Sequence, residues 1–389
     1  MSFAEGVEEG LIRFVGDDCK RALYDAIESR QVRPGLCKTA GLKLVYSPLN
    51  GSGLVPVTQV LKDIGITDIT IVPEQEYPNG YFTTCSYPNP EIFAALELGL
   101  NLAKETDADL MLATDPDADR LGVRVKDRNG EYHDLTGNMS GCLLANYELS
   151  QRKAVNGSLP EDGALVKTIV TTNLADAIAK GYGVNLIEVL TGFKYIGQQI
   201  LGFENSGKGT YLFGFEESYG CLIGTYARDK DAIVATMALC EAAAYYKTQG
   251  KTLWDAMIDM YEEFGYYKDA IQAVTMKGIE GLQKIQEIMT TLRQNPPAEF
   301  AGHKVTAVRD YKLDEITDLA TGEKKPTGLP NSNVLYYELT DDAWVCVRPS
   351  GTEPKVKFYY GVKGTSLADA DEKSDAMGKA VLEMVDSMK

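Results

Sequence analysis

Residues 108–120, ADLMLATDPDADR, join a short apolar run to a loop that carries three aspartates. The run is too short for a helix, and its apolar composition predicts a buried strand. Asp115, Asp117 and Asp119 follow it at alternate positions. Pro116 stiffens the turn between the first two. Because ligands bind beyond the carboxyl ends of strands in open parallel sheets, this stretch predicts an α/β domain with a binding loop.

The aspartate loop, residues 115–120, offers the ligands that a hard cation prefers. Three carboxylates at alternate positions can direct oxygens at one ion and leave positions for water and substrate, as Mg²⁺ requires. A calcium EF-hand loop is excluded, because Arg120 and Lys126 stand where glycine and glutamate are needed. A solvated acidic turn without metal remains an alternative. The pattern favours a magnesium site.

Strand-like runs alternate with helical patterns over the first two thirds of the chain. One helix is expected to start at Asn89-Pro90, where an N-cap residue precedes proline. Another covers 173–183 and ends in glycine. Such alternation implies parallel sheets covered by helices. Further strand-like runs are 42–48, 68–73, 164–170 and 184–190.

The alternating pattern runs twice, and the chain changes character near Tyr267. Beyond that residue come one helical stretch, several strand-like runs and a C-terminal helix, which are typical of an α+β domain. The polar stretch 315–332 is expected to be an exposed loop. We therefore predict two α/β domains with mixed, mostly parallel sheets covered by helices, followed by a C-terminal α+β domain. The predicted boundaries are 1–135, 136–266 and 267–389.

The glutamate loop, residues 214–220 (GFEESYG), places two carboxylates and a hydroxyl between glycines. Glu216 and Ser218 suit recognition of a polyol, because carboxylates accept hydrogen bonds from adjacent sugar hydroxyls and glycine permits close approach. A capped helix start gives the same letters. Lys230 follows closely enough in sequence to reach the same pocket, although acidic residues beside it also favour a helix N-terminus.

The arginine loop, residues 348–355 (RPSGTEPK), lies between two strand-like runs. Arg348 can fork a phosphate, and the loop adds hydroxyl donors and a glycine turn whose N–H groups can face one anion. A Walker A loop is excluded because its spacing is absent. An ordinary loop with two prolines is the alternative. The segment 191–197 (TGFKYIG) alone predicts a strand-to-helix turn.

Composition limits the partners of this chain. The formal charge of −17 over 389 residues opposes nucleic-acid binding, which usually requires a basic face. No apolar run is long enough to span a membrane, and the N-terminus lacks the pattern of a secretory signal. Seven cysteines without a C-x-x-C pair predict reduced, mostly buried thiols. The chain is therefore expected to be cytoplasmic, without nucleic-acid or membrane partners.

In this order, the loops resemble those of the α-D-phosphohexomutase superfamily, the phosphoglucomutases and phosphomannomutases. The resemblance covers nearly the whole chain. Pro116 and the form GFEESYG are similar to the branch of bacterial α-phosphoglucomutases and phosphopentomutases. Members of the superfamily have four domains, and residues 46–53 (YSPLNGSG) resemble the early loop of the second. The resemblance therefore implies domains two, three and four.

The resemblance also implies a role for each loop. Mg²⁺ would be held by Asp115, Asp117 and Asp119. Arg120 would lie beside it, and Lys230 matches a lysine of acid–base chemistry. The implied substrate-binding residues are Thr191, Gly192, Phe193, Lys194, Glu216 and Ser218 for the sugar, and Arg348, Ser350, Gly351, Thr352 and Lys355 for the non-reacting phosphate.

The sequence departs from the superfamily in one respect. The first domain of its members carries a phosphoserine in a Ser-His motif, whereas Tyr132 precedes His133 here and Gly302 precedes His303. We therefore expect a chain that lacks the N-terminal serine domain and is inactive alone.

The resemblance implies that the complete enzyme interconverts hexose 1-phosphate and 6-phosphate through glucose 1,6-bisphosphate, which serves as intermediate and activator. Mannose and pentose phosphates are alternative substrates. A non-catalytic sugar-phosphate-binding protein is an alternative function, and a metal-dependent phosphatase is a further one.

Overall fold

The computed structural model describes residues 1–276, 278–350 and 354–388. These residues form two compact units. The first unit comprises Met1–Asp134, Leu222–Ala227 and Asp231–Leu253, and the second comprises the remaining residues. In the part of the chain that is described, no helix has both the length and the apolar character needed to cross a membrane.

The secondary structure follows the predicted alternation. Short 3₁₀ helices cover Pro73–Gln75, Phe93–Leu96 and Thr340–Asp342. The α-helices are α1 (Phe3–Glu8), α2 (Asp17–Glu28), α3 (Cys37–Ala40), α4 (Leu54–Ile64), α5 (Glu97–Thr106), α6 (Gly137–Asn156), α7 (Leu174–Tyr182), α8 (Phe193–Ser206), α9 (Ala232–Thr248), α10 (Leu253–Phe264), α11 (Gly278–Gln294) and α12 (Leu367–Ser387). The strands are β1 (Lys43–Ser47), β2 (Asp68–Ile71), β3 (Leu110–Thr114), β4 (Leu121–Lys126), β5 (Tyr132–Leu135), β6 (Gly163–Thr168), β7 (Asn185–Val189), β8 (Thr210–Glu216), β9 (Gly220–Ile223), β10 (Tyr266–Thr275), β11 (Glu299–Phe300), β12 (His303–Asp310), β13 (Glu315–Asp318), β14 (Lys324–Lys325), β15 (Leu335–Leu339), β16 (Trp344–Pro349) and β17 (Lys355–Gly364).

A mixed sheet with the order β2-β1-β3-β4-β5 organises the first unit. Strand β1 is parallel to both β2 and β3, whereas β4 is antiparallel to β3. Val45 of β1 and Met111 of β3 are fully buried and pack with Ala103 of α5. Because the crossovers from β1 lead to both of its sides, the loops after β1 and β3 meet at the carboxyl edge of the sheet.

The helix predicted to start at Asn89-Pro90 begins later. A 3₁₀ turn starts at Phe93, and α5 starts at Glu97. The Asn89 side-chain oxygen accepts a hydrogen bond from the Glu91 N–H at 2.9 Å, which closes a local turn instead of capping a helix. The predicted boundary was therefore wrong, because a side-chain turn competed with the helix start.

Two sheets organise the described part of the second unit. In the first, β6 is parallel to β7 and β8, in the order β7-β6-β8-β9. In the other, antiparallel strands run in the order β10-β17-β16-β15-β12-β13-β14, and β11 pairs with β12. Leu292 of α11, Val381 of α12 and Phe358 of β17 share the core of that sheet. The predicted class of α/β units with a C-terminal α+β part is confirmed.

The stretch predicted to be an exposed loop at 315–332 contains a hairpin. Strands β13 and β14 pair there, with Ile316 opposite Lys325. The Asp318 carboxylate accepts hydrogen bonds from the N–H groups of Ala320 and Thr321 at 2.9 and 2.8 Å. The loop prediction was therefore wrong for the paired residues, because an aspartate turn closes a short hairpin.

The two sheets of the second unit share an apolar cluster. Val170 and Leu190, which follow β6 and β7, pack with Trp344 of β16. Arg309 of β12 reinforces this contact, because its guanidinium lies 2.7 Å from a Glu188 oxygen of β7. The carboxyl edge of the parallel sheet is thereby fixed against the antiparallel sheet.

The cysteines are free thiols, as predicted. Cys19 is exposed and Cys85 is half-buried, whereas the other five are buried. Burial raises the pKa of the Cys37 thiol to about 12, so this group stays protonated at neutral pH.

Candidate functional site

The aspartate loop is braced by the loop that follows β1. The Ser52 N–H and hydroxyl donate to the Pro116 carbonyl at 2.8 and 3.0 Å. Gly51 lies so close that an added Cβ would stand 2.3 Å from the Pro116 Cα. Ala118 adopts the left-handed region at φ 58°, which is strained for a residue with a Cβ. The loop is therefore held in a bent conformation.

The three aspartates converge in this loop. Asp115, Asp117 and Asp119 each offer one carboxylate oxygen within 4.8 Å of the others. Asp115 is 7% exposed, and its carboxylate accepts hydrogen bonds from the N–H groups of Asp119 and Arg120 at 3.0 Å. Burial and the neighbouring Asp119 charge raise the pKa of Asp115 to about 7. A bound cation would relieve this repulsion.

The donor set fits Mg²⁺. Oxygens on opposite sides of an octahedral Mg²⁺ lie about 4.2 Å apart, so small side-chain movements would bring the three carboxylates into range. Arg120 is tied to the same loop, with its Nε 3.6 Å from oxygens of Asp115 and Asp119. Its other side contacts the Glu91 carboxylate. Arg120 therefore stands beside the aspartates with a fixed orientation.

The glutamate loop and the turn after β7 are joined by a hydrogen bond. The Gly192 N–H donates to Glu216 Oε1 at 2.9 Å, and the Ser218 hydroxyl lies 3.5 Å from Glu216 Oε2. Gly192 has a φ of 121°, a conformation that residues with a Cβ rarely adopt. The buried Thr191 hydroxyl has no hydrogen-bond partner among the described residues. Such a group is available to a polar ligand.

Lys230 lies in the same cluster of the second unit. Its ammonium stands 5.7 Å from the centre of the Phe193 ring and 3.0 Å from an Asp229 oxygen. The side chain is 11% exposed, and an added Cβ at Gly220 would stand 2.0 Å from its Cδ. Lys194 lies one residue further along the turn, with its ammonium 5.0 Å from the centre of the Tyr195 ring.

Glu216 is buried within this cluster. Its side chain is 5% exposed. Burial and the Glu217 charge raise its pKa to about 7, whereas the nearby Lys230 charge lowers it. A carboxyl group with this pKa can both donate and accept hydrogen bonds near neutral pH.

The arginine loop is described only at its two ends. Arg348 lies near the end of β16, and the Ser350 N–H donates to the Lys355 carbonyl at 2.8 Å. Gly351 and Thr352 lie outside the described residues, so their predicted contacts with phosphate stay predictions. Burial raises the pKa of the Tyr359 hydroxyl, the Glu217 charge raises it further and the Arg348 charge lowers it. Glu217 and Arg348 therefore both lie close to Tyr359.

Two further residues belong to these clusters. Glu217 accepts hydrogen bonds from the hydroxyls of Thr168 and Thr171 at 3.2 and 3.3 Å, and so ties the glutamate loop to the end of β6. It stands in the motif GFEESYG, which could have indicated it. Glu91, the partner of Arg120, lies 29 residues away from it, and no local pattern indicates this contact.

Family models match three segments of the chain. Phosphoglucomutase/phosphomannomutase alpha/beta/alpha domain II matches residues 23–130, domain III matches 136–264, and the C-terminal domain matches 297–376. A phosphoglucomutase of Staphylococcus aureus strain MRSA252 is 36% identical over 358 residues, which are 92% of this chain and 63% of that protein. The chain thus spans less than two thirds of the length of this curated relative.

Solved structures show the same fold. A putative phosphomannomutase from Thermus thermophilus gives a TM-score of 0.65 at 20% identity and covers 94% of this chain and 66% of its own. N-acetylphosphoglucosamine mutase of Aspergillus fumigatus in complex with GlcNAc-6P and magnesium gives 0.50 at 15% identity, and covers 94% of this chain and 71% of its own. A variant of that mutase in complex with glucose 1,6-bisphosphate gives 0.51 at 15% identity, with 95% and 66% covered.

Proposed function

This chain belongs to the phosphoglucomutase/phosphomannomutase family, and from that membership we propose that it is part of a mutase that interconverts glucose 1-phosphate and glucose 6-phosphate. The observation that carries this proposal is the set of three convergent aspartates beside Arg120 at the end of β3. Mannose and pentose phosphates remain alternative substrates. The cytoplasmic location expected from the sequence remains a prediction.

In the proposed reaction, a phosphoserine donates its phosphoryl group to one sugar hydroxyl, and glucose 1,6-bisphosphate forms. The bisphosphate reorients, and its other phosphoryl group returns to the serine. Residues 1–389 contain no Ser-His dipeptide, so this serine must come from outside them. We therefore propose that residues 1–389 alone do not turn over substrate.

Asp115, Asp117 and Asp119 would hold Mg²⁺. When bound, this ion would stabilise the negative charge that develops on the transferring phosphoryl group. Arg120 adds a fixed positive charge beside the same aspartates. Its ion pair with Glu91 keeps the guanidinium oriented.

The second unit would bind the sugar phosphate. Glu216 and Ser218 would bond to sugar hydroxyls, and the turn from Thr191 to Lys194 would select their orientation. The buried Thr191 hydroxyl and the raised pKa of Glu216 support this role, because both groups have hydrogen-bonding capacity for a polyol. Lys230 would move the proton of the reacting hydroxyl, since its ammonium stands near Glu216 and is mostly shielded from solvent.

Arg348 would hold the non-reacting phosphate with a planar fork, together with Ser350, Gly351, Thr352 and Lys355. The bisphosphate must present each end in turn, so this grip must accept a phosphate at either carbon. The proximity of Arg348 and Glu217 to Tyr359 supports a common pocket for the sugar and its phosphate.

The test is a complementation assay. Residues 1–389 should show no glucose phosphate turnover alone and should gain it when fused to the serine-bearing domain of a phosphoglucomutase relative. The same fusion with Asp117→Asn should lose most of that activity. If the fusion folds and binds glucose 6-phosphate without turnover, the chain is a binding protein. Turnover by residues 1–389 alone would overturn the requirement for the serine.

A further inference from the structure

A cavity of about 210 Å³ lies in the first unit at the amino end of β3. Leu110, the first residue of β3, lines it, whereas Asp115 follows the last residue of that strand. Five residues of strand separate the two positions by roughly 17 Å. The cavity is therefore remote from the aspartate loop, and the proposed reaction does not use it.

The floor of the cavity is apolar and its rim is basic. The rim lysines are Lys126, Lys247 and Lys251, with Asp109 as the acidic member of the lining. This excess of positive charge contrasts with the formal charge of −17 of the whole chain. The buried apolar residues of the floor are Leu42, Leu110, Ala243 and Leu253.

Hydrogen bonds fix two of the ammonium groups at the rim. Lys247 Nζ donates to an Asp109 oxygen and to the Gly41 carbonyl, both at 2.7 Å. Lys126 Nζ donates to the carbonyl and the carboxylate of Asp107 at 3.0 and 2.9 Å. Within the described residues these bonds use two of the three donors of each ammonium. Each group thus keeps one donor for a ligand.

We propose that this cavity binds a small organic anion. Its phosphate or carboxylate group would contact Lys126, Lys247 and Lys251, and its apolar body would lie on Leu110 and Leu253. Apolar walls with a few convergent polar groups are typical of small-molecule sites. The volume is below the usual range of about 300–1,000 Å³ for drug-sized ligands, so the ligand is small.

Phenyl phosphate is a suitable probe, because it joins a phosphate to an apolar ring. Hydrogen exchange of the whole chain, followed by mass spectrometry, should show protection at 107–111, 126–128 and 247–253 when the probe is present. Phenyl phosphate should bind at least about tenfold more tightly than inorganic phosphate, since burial of its ring adds apolar contact. Protection confined to 348–357 would mean that the arginine loop holds the probe, and would overturn the proposal.

Charge-neutral variants test the lysines. Lys126→Gln and Lys251→Gln should each weaken phenyl phosphate binding about fivefold to tenfold, because each removes a charge-assisted bond. Lys126→Arg should retain binding. Lys153→Gln, at an exposed position of α6, removes the same charge elsewhere and should leave affinity unchanged.

Thermal melts monitored by circular dichroism confirm that each variant is folded. Equal affinity in Lys126→Gln, Lys251→Gln and Lys153→Gln would overturn the proposal. Failure of this test leaves the proposed mutase function intact, because that function depends on turnover of the fused enzyme.

Discussion

Replacing Glu216 with glutamine should change how the stability of the second unit depends on pH. Glu216 is 5% exposed, and its pKa is raised from 4.5 to about 7 by burial and by the Glu217 charge. Glutamine has nearly the same shape, is always neutral and can still accept the hydrogen bond from the Gly192 N–H. The substitution therefore removes a buried charge without removing the bond that joins the two loops.

The sign of the effect follows from proton binding. Between pH 4.5 and pH 7 the folded protein keeps the Glu216 proton, whereas the unfolded chain has lost it. Stability from this group is therefore complete below pH 4.5 and is lost as the pH rises through about 7. A shift of this size corresponds to at most about 3 kcal/mol, because one pKa unit is about 1.4 kcal/mol. Glu216→Gln should thus be more stable than the wild type at pH 8 by about 1–3 kcal/mol and nearly equal to it at pH 4.5.

Tryptophan fluorescence during urea unfolding measures this difference. The tryptophans of the chain, Trp254 and Trp344, both belong to the second unit, which also contains Glu216. The free energy of unfolding would be measured between pH 4.5 and pH 8 without Mg²⁺. Glu372→Gln, at an exposed position of α12, is the matched control and should give no pH-dependent difference.

The reasoning would be refuted by a difference between Glu216→Gln and wild type that stays constant from pH 4.5 to pH 8. It would also be refuted if the variant lost stability at pH 8. Either result would mean that Glu216 is ionised in the folded protein at a normal pKa.

Three further substitutions have defined outcomes. Gly51→Ala should weaken Mg²⁺ binding about tenfold or more in calorimetry by displacing Pro116, because its Cβ would stand 2.3 Å from the Pro116 Cα; an unchanged affinity, as expected for Gly80→Ala with nothing within 4 Å, would show that the brace is dispensable. Arg348→Lys should weaken glucose 6-phosphate binding about tenfold in an NMR titration, since lysine keeps the charge but loses the planar fork, and equal affinity would place the phosphate elsewhere. Lys167→Met should lower the free energy of unfolding by about 2–3 kcal/mol in the fluorescence assay, because its ammonium is 1% exposed and donates to two buried carbonyls. A loss of less than about 0.5 kcal/mol would show that these bonds add little.

Much of the fold could be predicted because the signals are local. The apolar runs at 42–48 and 108–115 contain strands β1 and β3, since short apolar segments flanked by turn residues form buried strands. The predicted start at Asn89 failed for an equally local reason, since the same residue type caps helices and closes turns. The hairpin of β13 and β14 was missed because its strands are short and polar.

The candidate site was predictable only as separate loops. The spacing of Asp115, Asp117 and Asp119 indicates a cation site without knowledge of the fold, because residues so close in sequence converge on any tight turn. The contact between Arg120 and Glu91 could not be predicted, since it joins residues 29 positions apart. The functional roles of all these residues remain predictions until they are tested.

The sequence by itself determined the order of strands and helices, the three loop motifs and the family, because these depend on residue types and spacing along the chain. Only the tertiary structure decided that Gly192 would donate to Glu216, 24 residues away, and that Glu217 and Arg348 would both lie near Tyr359. It also raised the pKa of Glu216 to about 7, because burial is a property of packing and not of composition. The basic cavity at the start of β3 has the same origin: its lysines come from β4, from α9 and from the segment after α9, and only the packed sheet and helix place them around one space.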